Sequence, residues 1–385
     1  MSRRTYGTGT ISREQNGTWR YRANFIHKNK RHRPSKSGFA TKAAAREALN
    51  AVLGTTPPGT YLPPDKTTLR SYLDQWVTIR EANENIRGTT ASSYRSKIGQ
   101  IPDWVGSVTL SDITADHLDH LYTEYRHGRS ARSVRLMHTI IRKALQDAVL
   151  KKMVTHNVAD AASPPSDRAA KAPEPEIWSS DEAHSFQSWS ELPHYRRIAW
   201  QLALATGMRR EDLTGLRWKD FEDGQLNLRN VRTQYVDRHG RKAITEGASK
   251  TESGRRVIKL GSKLGAELDH WEKVQKAQSM KCGQGRPAYV LTNNRALPWN
   301  PDDLGQAWRR DVRRAVDSGV VSHSMRLHDA RHWNATTSIQ NGMDLNTVAK
   351  RLGHANPAFT LAVYGHSDAA RDQECADRLE AALGL

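Results

Sequence analysis

Apolar positions recur along this chain with two different rhythms. Between Trp19 and Phe25 they alternate, with Trp19, Tyr21, Ala23 and Phe25 on one side and Arg20 and Arg22 on the other. A period of two predicts a strand with one buried face. Turn signals at Gln15-Asn16-Gly17 and His27-Lys28-Asn29-Lys30 set further short strands beside it, which predicts a small three-stranded sheet. Thr41 then caps a helix to about Val52, with Ala44, Ala48 and Val52 at helical spacing.

From 66 to 162 the rhythm is helical throughout. Thr67 caps a first helix whose stripe is Leu69, Tyr72, Leu73, Trp76 and Val77. A second runs from Thr90 to about Ile98. Thr114 caps a third with Leu118 and Leu121. Ser130 starts a fourth, with Val134, Ile141, Leu145 and Ala148 inside and Arg132, Arg135, Arg142 and Lys143 outside. Two proline-rich stretches interrupt the pattern. Residues 54–64 hold two proline pairs and cannot continue a helix, and residues 163–175 predict an extended, exposed strap.

The last part, 176–385, mixes both rhythms. Ser180 caps a helix, and an apolar helix follows through Ile198, Leu202 and Ala205. Gly207 ends it and Arg209 starts the next, which places a guanidinium at a helix N-terminus where free N–H groups favour anions. Strands are predicted near 225–231 and, after a hairpin turn at 249–254, through Leu260. Helices dominate from Trp308 onward. The expected fold is therefore α+β and multidomain. Residues 1–56 form a small β-sheet with a helix, 66–163 an all-α unit, and 176–385 a mainly α unit with a small antiparallel sheet.

Charge changes the picture from scaffold to partner. Lys plus Arg is 59 against 41 Asp plus Glu, a net +18 with a pI near 10.0. Residues 1–60 alone carry twelve Lys and Arg against Glu14 and Glu47. Such a balance favours a polyanion, nucleic acid above all. The two cysteines, Cys282 and Cys375, have neither metal spacing nor a disulfide framework. No apolar run approaches the ~18–20 residues of a membrane span, and the start of the chain lacks the apolar stretch of a signal peptide. A reduced, cytoplasmic protein associated with DNA is the expectation.

Five spaced boxes carry the candidate chemistry. They are Thr206-Gly207-x-Arg209-x-x-Asp212 with Leu216-Arg217-Trp218; Lys250-Thr251-x-Ser253-x-Arg255 or Arg256; His328-x-x-Arg331-His332; Leu352-Gly353-His354; and Tyr364. In this order they resemble the tyrosine recombinases of the phage integrase type. The resemblance covers about 160 residues, and the two upstream segments fit that family's arm-binding and helical core-binding (SAM-like) domains. One departure is Asp212, where the family more often has glutamate; it reads as a support for Arg209 or for the fold.

The resemblance implies a site-specific DNA recombinase that integrates, and with a partner factor excises, a phage or mobile element. The implied catalytic residues are Arg209, Lys250, His328, Arg331, His354 and the nucleophile Tyr364. The implied roles follow ordinary phosphoryl chemistry. A tyrosine ester conserves the energy of the broken strand. Arginines can fork onto the phosphate oxygens, and a lysine depressed by neighbouring cations suits protonation of the leaving 5′ oxygen. Lys242 is the nearest rival to Lys250, and Lys259 a more distant one. His332 reads as a buttress, His366 as a local hydrogen-bonding residue and Trp333 as core. No cofactor or metal is implied. The implied partners are double-stranded attachment-site DNA, three further copies in a homotetramer, a host DNA-bending protein and an excision factor, with no membrane. The amphipathic stripe Ala369, Cys375, Leu379 and Ala382 suggests a tail that docks on a neighbouring subunit or packs in cis. Same-chemistry alternatives are a chromosome-dimer or plasmid resolvase and a type IB topoisomerase; a catalytically dead DNA-binding protein on the same fold is another.

Overall fold

The computed structural model describes residues 8–27, 30–54, 66–170, 175–249 and 254–353. Lys250, His354, Tyr364, His366 and the stripe from Ala369 to Ala382 lie outside them. The chain divides into two compact units, Met1–Ala172 and Pro173–Leu385.

The first unit opens on β1 (Thr8–Arg13), β2 (Trp19–His27), β3 (Lys30–His32) and β4 (Ser35–Phe39), followed by α1 (Lys42–Gly54). β1 pairs antiparallel with one edge of β2, while β3 and β4 share the other. The expected third strand is thus broken in two, giving four. Pro34 is the cause: it has no N–H to donate, and its carbonyl instead accepts the Ala23 N–H at 3.0 Å. Tyr21, Ala23 and Phe25 are buried as the alternation requires, against Leu49 of α1. Thr41 caps α1 through the Ala44 N–H. Ala48 and Val52 of the expected stripe pack half-buried against this core, its fully buried helical positions are Ala45 and Leu49, and Ala44 is exposed. Packing centres on the bulkiest side chain, and Leu49 and Ala45 are its i, i−4 pair.

A second, separate core in this unit is helical. It comprises α2 (Leu69–Ala82), α3 (Gly88–Ile98), a single turn α4 (Asp103–Gly106), α5 (Ala115–Arg126) and α6 (Ala131–Leu150). Leu69, Tyr72, Leu73, Trp76 and Val77 are all buried. Thr68, not Thr67, caps α2, because the Thr67 carbonyl is engaged by the Leu110 N–H. Thr114 and Ser130 cap α5 and α6 as expected. Trp76 donates to Asp147 at 2.6 Å and Tyr72 to the Ala144 carbonyl, locking α2 to α6. The strap at 163–175 is not wholly extended: it contains the turn α7 (Asp167–Ala170), tied down by Arg135 through Asp167 and the Pro165 carbonyl.

The second unit builds one large core around α9. Its elements are α8 (Ser180–Ser188), α9 (His194–Thr206), α10 (Arg210–Gly215), β5 (Phe221–Glu222), β6 (Gln225–Leu228), β7 (Asn230–Val236), β8 (Lys242–Ala248), β9 (Arg256–Lys259), α11 (Ser262–Lys281), α12 (Pro301–Asp317), α13 (Asp329–Gln340) and α14 (Leu345–Leu352). Strands β5, β6 and β9 form one antiparallel sheet, and β7 and β8 a separate hairpin. Ser179 caps α8, not Ser180. The motif is Ser179-x-x-Glu182, and the Glu182 carboxylate returns the bond to the Ser179 N–H. Ile198 and Leu202 are buried, but Ala205 is exposed. Trp200, Trp271 and Trp308 are fully buried, and their indole N–H groups reach Asp311, the Val290 carbonyl and the Met325 carbonyl. Among the described residues no helix is long and apolar enough to cross a membrane.

Candidate active site

Everything near Arg209 starts from the end of α9. Gly207 terminates that helix in the left-handed region at φ 61°. A Cβ there would lie 2.5 Å from Leu352 Cδ2 and 3.0 Å from Asn334 Oδ1, so a glycine is required by conformation and by space. The carbonyls at the end of α9 have no partners within the helix. Side chains from α13 and α14 supply them. Asn334 Nδ2 donates to the Leu204 carbonyl at 2.7 Å, Arg351 to Ala205 at 3.2 Å, and Arg331 to Gly207 at 3.0 Å. This capping pulls the His328–Arg331 box onto the Arg209 box.

Arg209 occupies the extended N-cap position of α10, and its backbone N–H donates to Asp212 Oδ2 at 3.2 Å. Its guanidinium donates to the Gly353 carbonyl at 3.1 Å, beside the start of the His354 segment. α10 is only six residues long and its first turn holds Glu211 and Asp212. Its own carboxylates therefore offset the anion-favouring end expected there.

Asp212 does support Arg209, but through the backbone. Its side-chain partner is Arg256, whose guanidinium donates to Oδ2 at 3.1 Å with both side chains almost fully buried. Of the two arginines in the Lys250 box, Arg256 turns inward and Arg255 is exposed. Burial holds the Arg256 guanidinium below its ordinary pKa; Asp212 opposes this and the Arg209 charge adds to it. The sequence carried one signal for this inward arginine. Arg256 shares strand parity with Ile258, which is fully buried. Arg351 completes the set, donating to the Lys259 carbonyl while its own carbonyl accepts from Arg256.

His328 precedes α13, and its carbonyl accepts the Arg331 N–H. Three bonds fix the segment before it. Trp178 donates to the His323 carbonyl, Trp308 to the Met325 carbonyl, and Ser322 to Glu182. Asp329 is buried and takes a two-pronged pair from Arg326 at 2.6 and 2.8 Å. His328 is exposed as a residue, and desolvation of its imidazole holds its pKa below the ordinary value. The His332, Arg331 and Arg209 charges lower it further, against Asp329. His332 stands edge-on to His328 with ring centroids 5.7 Å apart, and its pKa is lowered in the same direction, mainly by burial. Trp333 is partly buried against the core.

Of the six candidate catalytic residues, the structure brings Arg209, His328 and Arg331 to one place. Lys250, His354 and Tyr364 fall outside the described residues, although Ser249 adjoins Lys250 and Gly353 adjoins His354. Lys242 opens β8 opposite Val236 at the hairpin tip, about six residues or roughly 20 Å along the strand from Ala248. Lys259 is exposed at the end of β9. The Lys250 box leaves Arg256 as an alternative to Arg255, and no sequence signal gives Arg351 or Asn334 a role, since only the fold reveals which backbone carbonyls need donors.

Residues 180–371 match the model of the phage integrase family. The chain is 25% identical over 272 residues to a XerC-like tyrosine recombinase of Caldanaerobacter subterraneus, covering 67% of this chain and 68% of that one. An integrase of Streptomyces ambofaciens is 23% identical over 84% of this chain and 82% of its own. The ICEBs1 integrase of Bacillus subtilis is 25% identical over 72% of each. Among solved structures, the Tn1549 transposon integrase bound to transposon right-end DNA superposes with a TM-score of 0.65 at 18% identity, over 81% of this chain and 99% of that one. The lambda integrase tetramer on a Holliday junction gives 0.56 at 22% identity, over 90% and 96%. With the boxes in order and Arg331 tied to the turn that presents Arg209, this chain belongs to the phage integrase family of tyrosine recombinases.

Proposed function

We propose that this recombinase is the integrase of a phage or other mobile element, acting on double-stranded attachment sites through a 3′-phosphotyrosyl intermediate with Tyr364 as nucleophile. The observation that carries the reading is that Arg331, from a box more than a hundred residues downstream, donates to the Gly207 carbonyl in the turn that presents Arg209, while the Arg209 guanidinium is held by the Gly353 carbonyl. Two arginines fixed in joined turns suit a phosphate passing through a pentacoordinate state, because its non-bridging oxygens gain negative charge.

The reaction runs as follows. The Tyr364 oxygen attacks phosphorus, loses its proton and forms the O–P bond, while the bond to the 5′ oxygen breaks. A phenol with pKa ~10 is a weak nucleophile at neutral pH, so a nearby base and cations are needed. His328, held below its ordinary pKa, is a neutral imidazole that can accept that proton. Arg209 and Arg331, with His354, bind the non-bridging oxygens. Lys250 donates the proton to the leaving 5′ oxygen. The tip position of Lys242 favours Lys250 over it. Resealing is the reverse, with the 5′ hydroxyl of another strand as nucleophile. Exchange of strands needs four active sites on two duplexes, so the working form is a homotetramer on DNA. A host DNA-bending protein and an excision factor set direction. The setting is the cytoplasm of the host cell.

The test is a suicide duplex carrying the element's crossover site, on which cleavage traps a covalent protein–DNA complex. Wild type is expected to form it, and Tyr364→Phe to form none. Arg209→Ala and Arg331→Ala are expected to slow it by about 10²–10³. A Tyr364→Phe chain that still links covalently to DNA would remove Tyr364 from the role. Relaxation of plasmids lacking any such site would favour a topoisomerase instead.

A further inference from the structure

We propose that Arg256 is a positioning residue that fixes Arg209 at both of its ends for contact with the scissile phosphate. This rests on the reading of Arg209 as a phosphate ligand. The Arg209 backbone N–H is held by Asp212 Oδ2, and the same oxygen accepts from Arg256 at 3.1 Å. The Arg209 guanidinium is held by the Gly353 carbonyl, and Arg256 Nε grips the same turn two residues earlier, at the Arg351 carbonyl, at 2.7 Å. One buried side chain thus sets where Arg209 starts and what its far end rests on.

Arg256 is not itself suited to hold the phosphate. Each of its three nitrogens already donates to an oxygen of the chain: Nε to Arg351, one terminal nitrogen to Gly254 at 3.2 Å and the other to Asp212. Its side chain is only 6% exposed. Arg351 returns the grip by donating to the Lys259 carbonyl at 2.9 Å, so β9 and the end of α14 exchange side-chain bonds to backbone. The planar fork is what allows three acceptors to be met at once, and a lysine cannot reproduce it. Asp212 keeps the two arginines compatible despite their like charge.

The experiment times covalent-complex formation on two versions of the suicide duplex. One has an ordinary scissile phosphate. The other has a methylphosphonate, in which a methyl group replaces one non-bridging oxygen and removes its charge. A guanidinium has less charge to stabilise on the second. Arg209→Ala should lose about 10²–10³ on phosphate and much less on methylphosphonate. Arg256→Met should lose about tenfold to a hundredfold on phosphate, as expected for a displaced catalytic group, and recover on methylphosphonate in the same way. Arg256→Lys should follow Arg256→Met, and it carries the test alone if the methionine variant does not fold. The double variant Arg209→Ala/Arg256→Met should be no slower than Arg209→Ala. A loss equal on both substrates, or losses that multiply in the double variant, would overturn the positioning role while leaving Arg209 in place. An Arg209→Ala chain equally slow on both substrates would overturn the phosphate reading and this proposal with it.

Discussion

The Arg331 guanidinium donates to the carbonyl of Gly207 at 3.0 Å, which joins the histidine–arginine box to the turn that presents Arg209. The bond exists because α9 ends in a left-handed glycine whose carbonyl has no partner inside the helix. Helix capping and site assembly are here the same interaction.

Gly207→Ala is expected to destabilise the chain by about 1–3 kcal/mol, since it combines a positive φ with a Cβ pressed into Leu352 and Asn334. Denaturant unfolding followed by tryptophan fluorescence measures this. An unchanged midpoint would show that the turn does not constrain the fold.

Asp311 is fully buried and accepts from Arg196 at 2.6 Å and from the Trp200 indole at 3.0 Å. Asp311→Ala leaves both donors without that acceptor and should cost about 3–5 kcal/mol. Asp311→Asn keeps an oxygen for Trp200 and should cost less. Equal midpoints for the two variants would contradict the account.

Acid should weaken the fold before most carboxylates titrate. Desolvation holds both His328, which is exposed as a residue, and the half-buried His332 below the ordinary imidazole value of 6.5 in the folded chain. Between their folded values and about 6.5 the unfolded chain binds more protons, so stability falls as pH drops through that window. Glu182, held at about 2 by its bonds to Ser322 and Ser179, contributes stability that is lost only between 4.5 and that value. The denaturant midpoint should therefore be lower at pH 5.5 than at 7.5, with a smaller drop in His328→Gln/His332→Gln. A drop of the same size in that double variant would assign the effect to other groups.

Glu246 is the tether of the β7–β8 hairpin. It pairs with Arg217 at 2.7 Å and Arg232 at 3.2 Å and accepts from the Tyr289 hydroxyl at 2.5 Å. Glu246→Ala should cost about 1–3 kcal/mol and speed amide exchange along β7 and β8. Exchange that quickens elsewhere but not in the hairpin would refute the tether.

Much of this molecule was legible because its signals are local. The stripe from Leu69 to Val77, the caps Thr114 and Ser130, and the alternation of Tyr21, Ala23 and Phe25 each depend on neighbours within a few residues. The caps expected at Thr67 and Ser180 lie one residue away, at Thr68 and Ser179, because each site offers two adjacent hydroxyl side chains. They were decided by which one was already engaged, at the Thr67 carbonyl, or which completed a capping box, at Ser179. Pro34 broke a strand where a continuous one was expected.

The sequence by itself determined the chemistry-bearing residue types, their order and the rhythm of the elements that carry them. Only the tertiary structure decided the partners. Arg256 faces inward to Asp212, Arg209 reaches Gly353 and Arg331 reaches Gly207 because helix ends and strand ends leave backbone carbonyls that distant side chains must satisfy. No local pattern encodes which arginine meets which carbonyl. That choice belongs to the packing of α9 against α13 and α14, and to the closing of β9 on the end of α14.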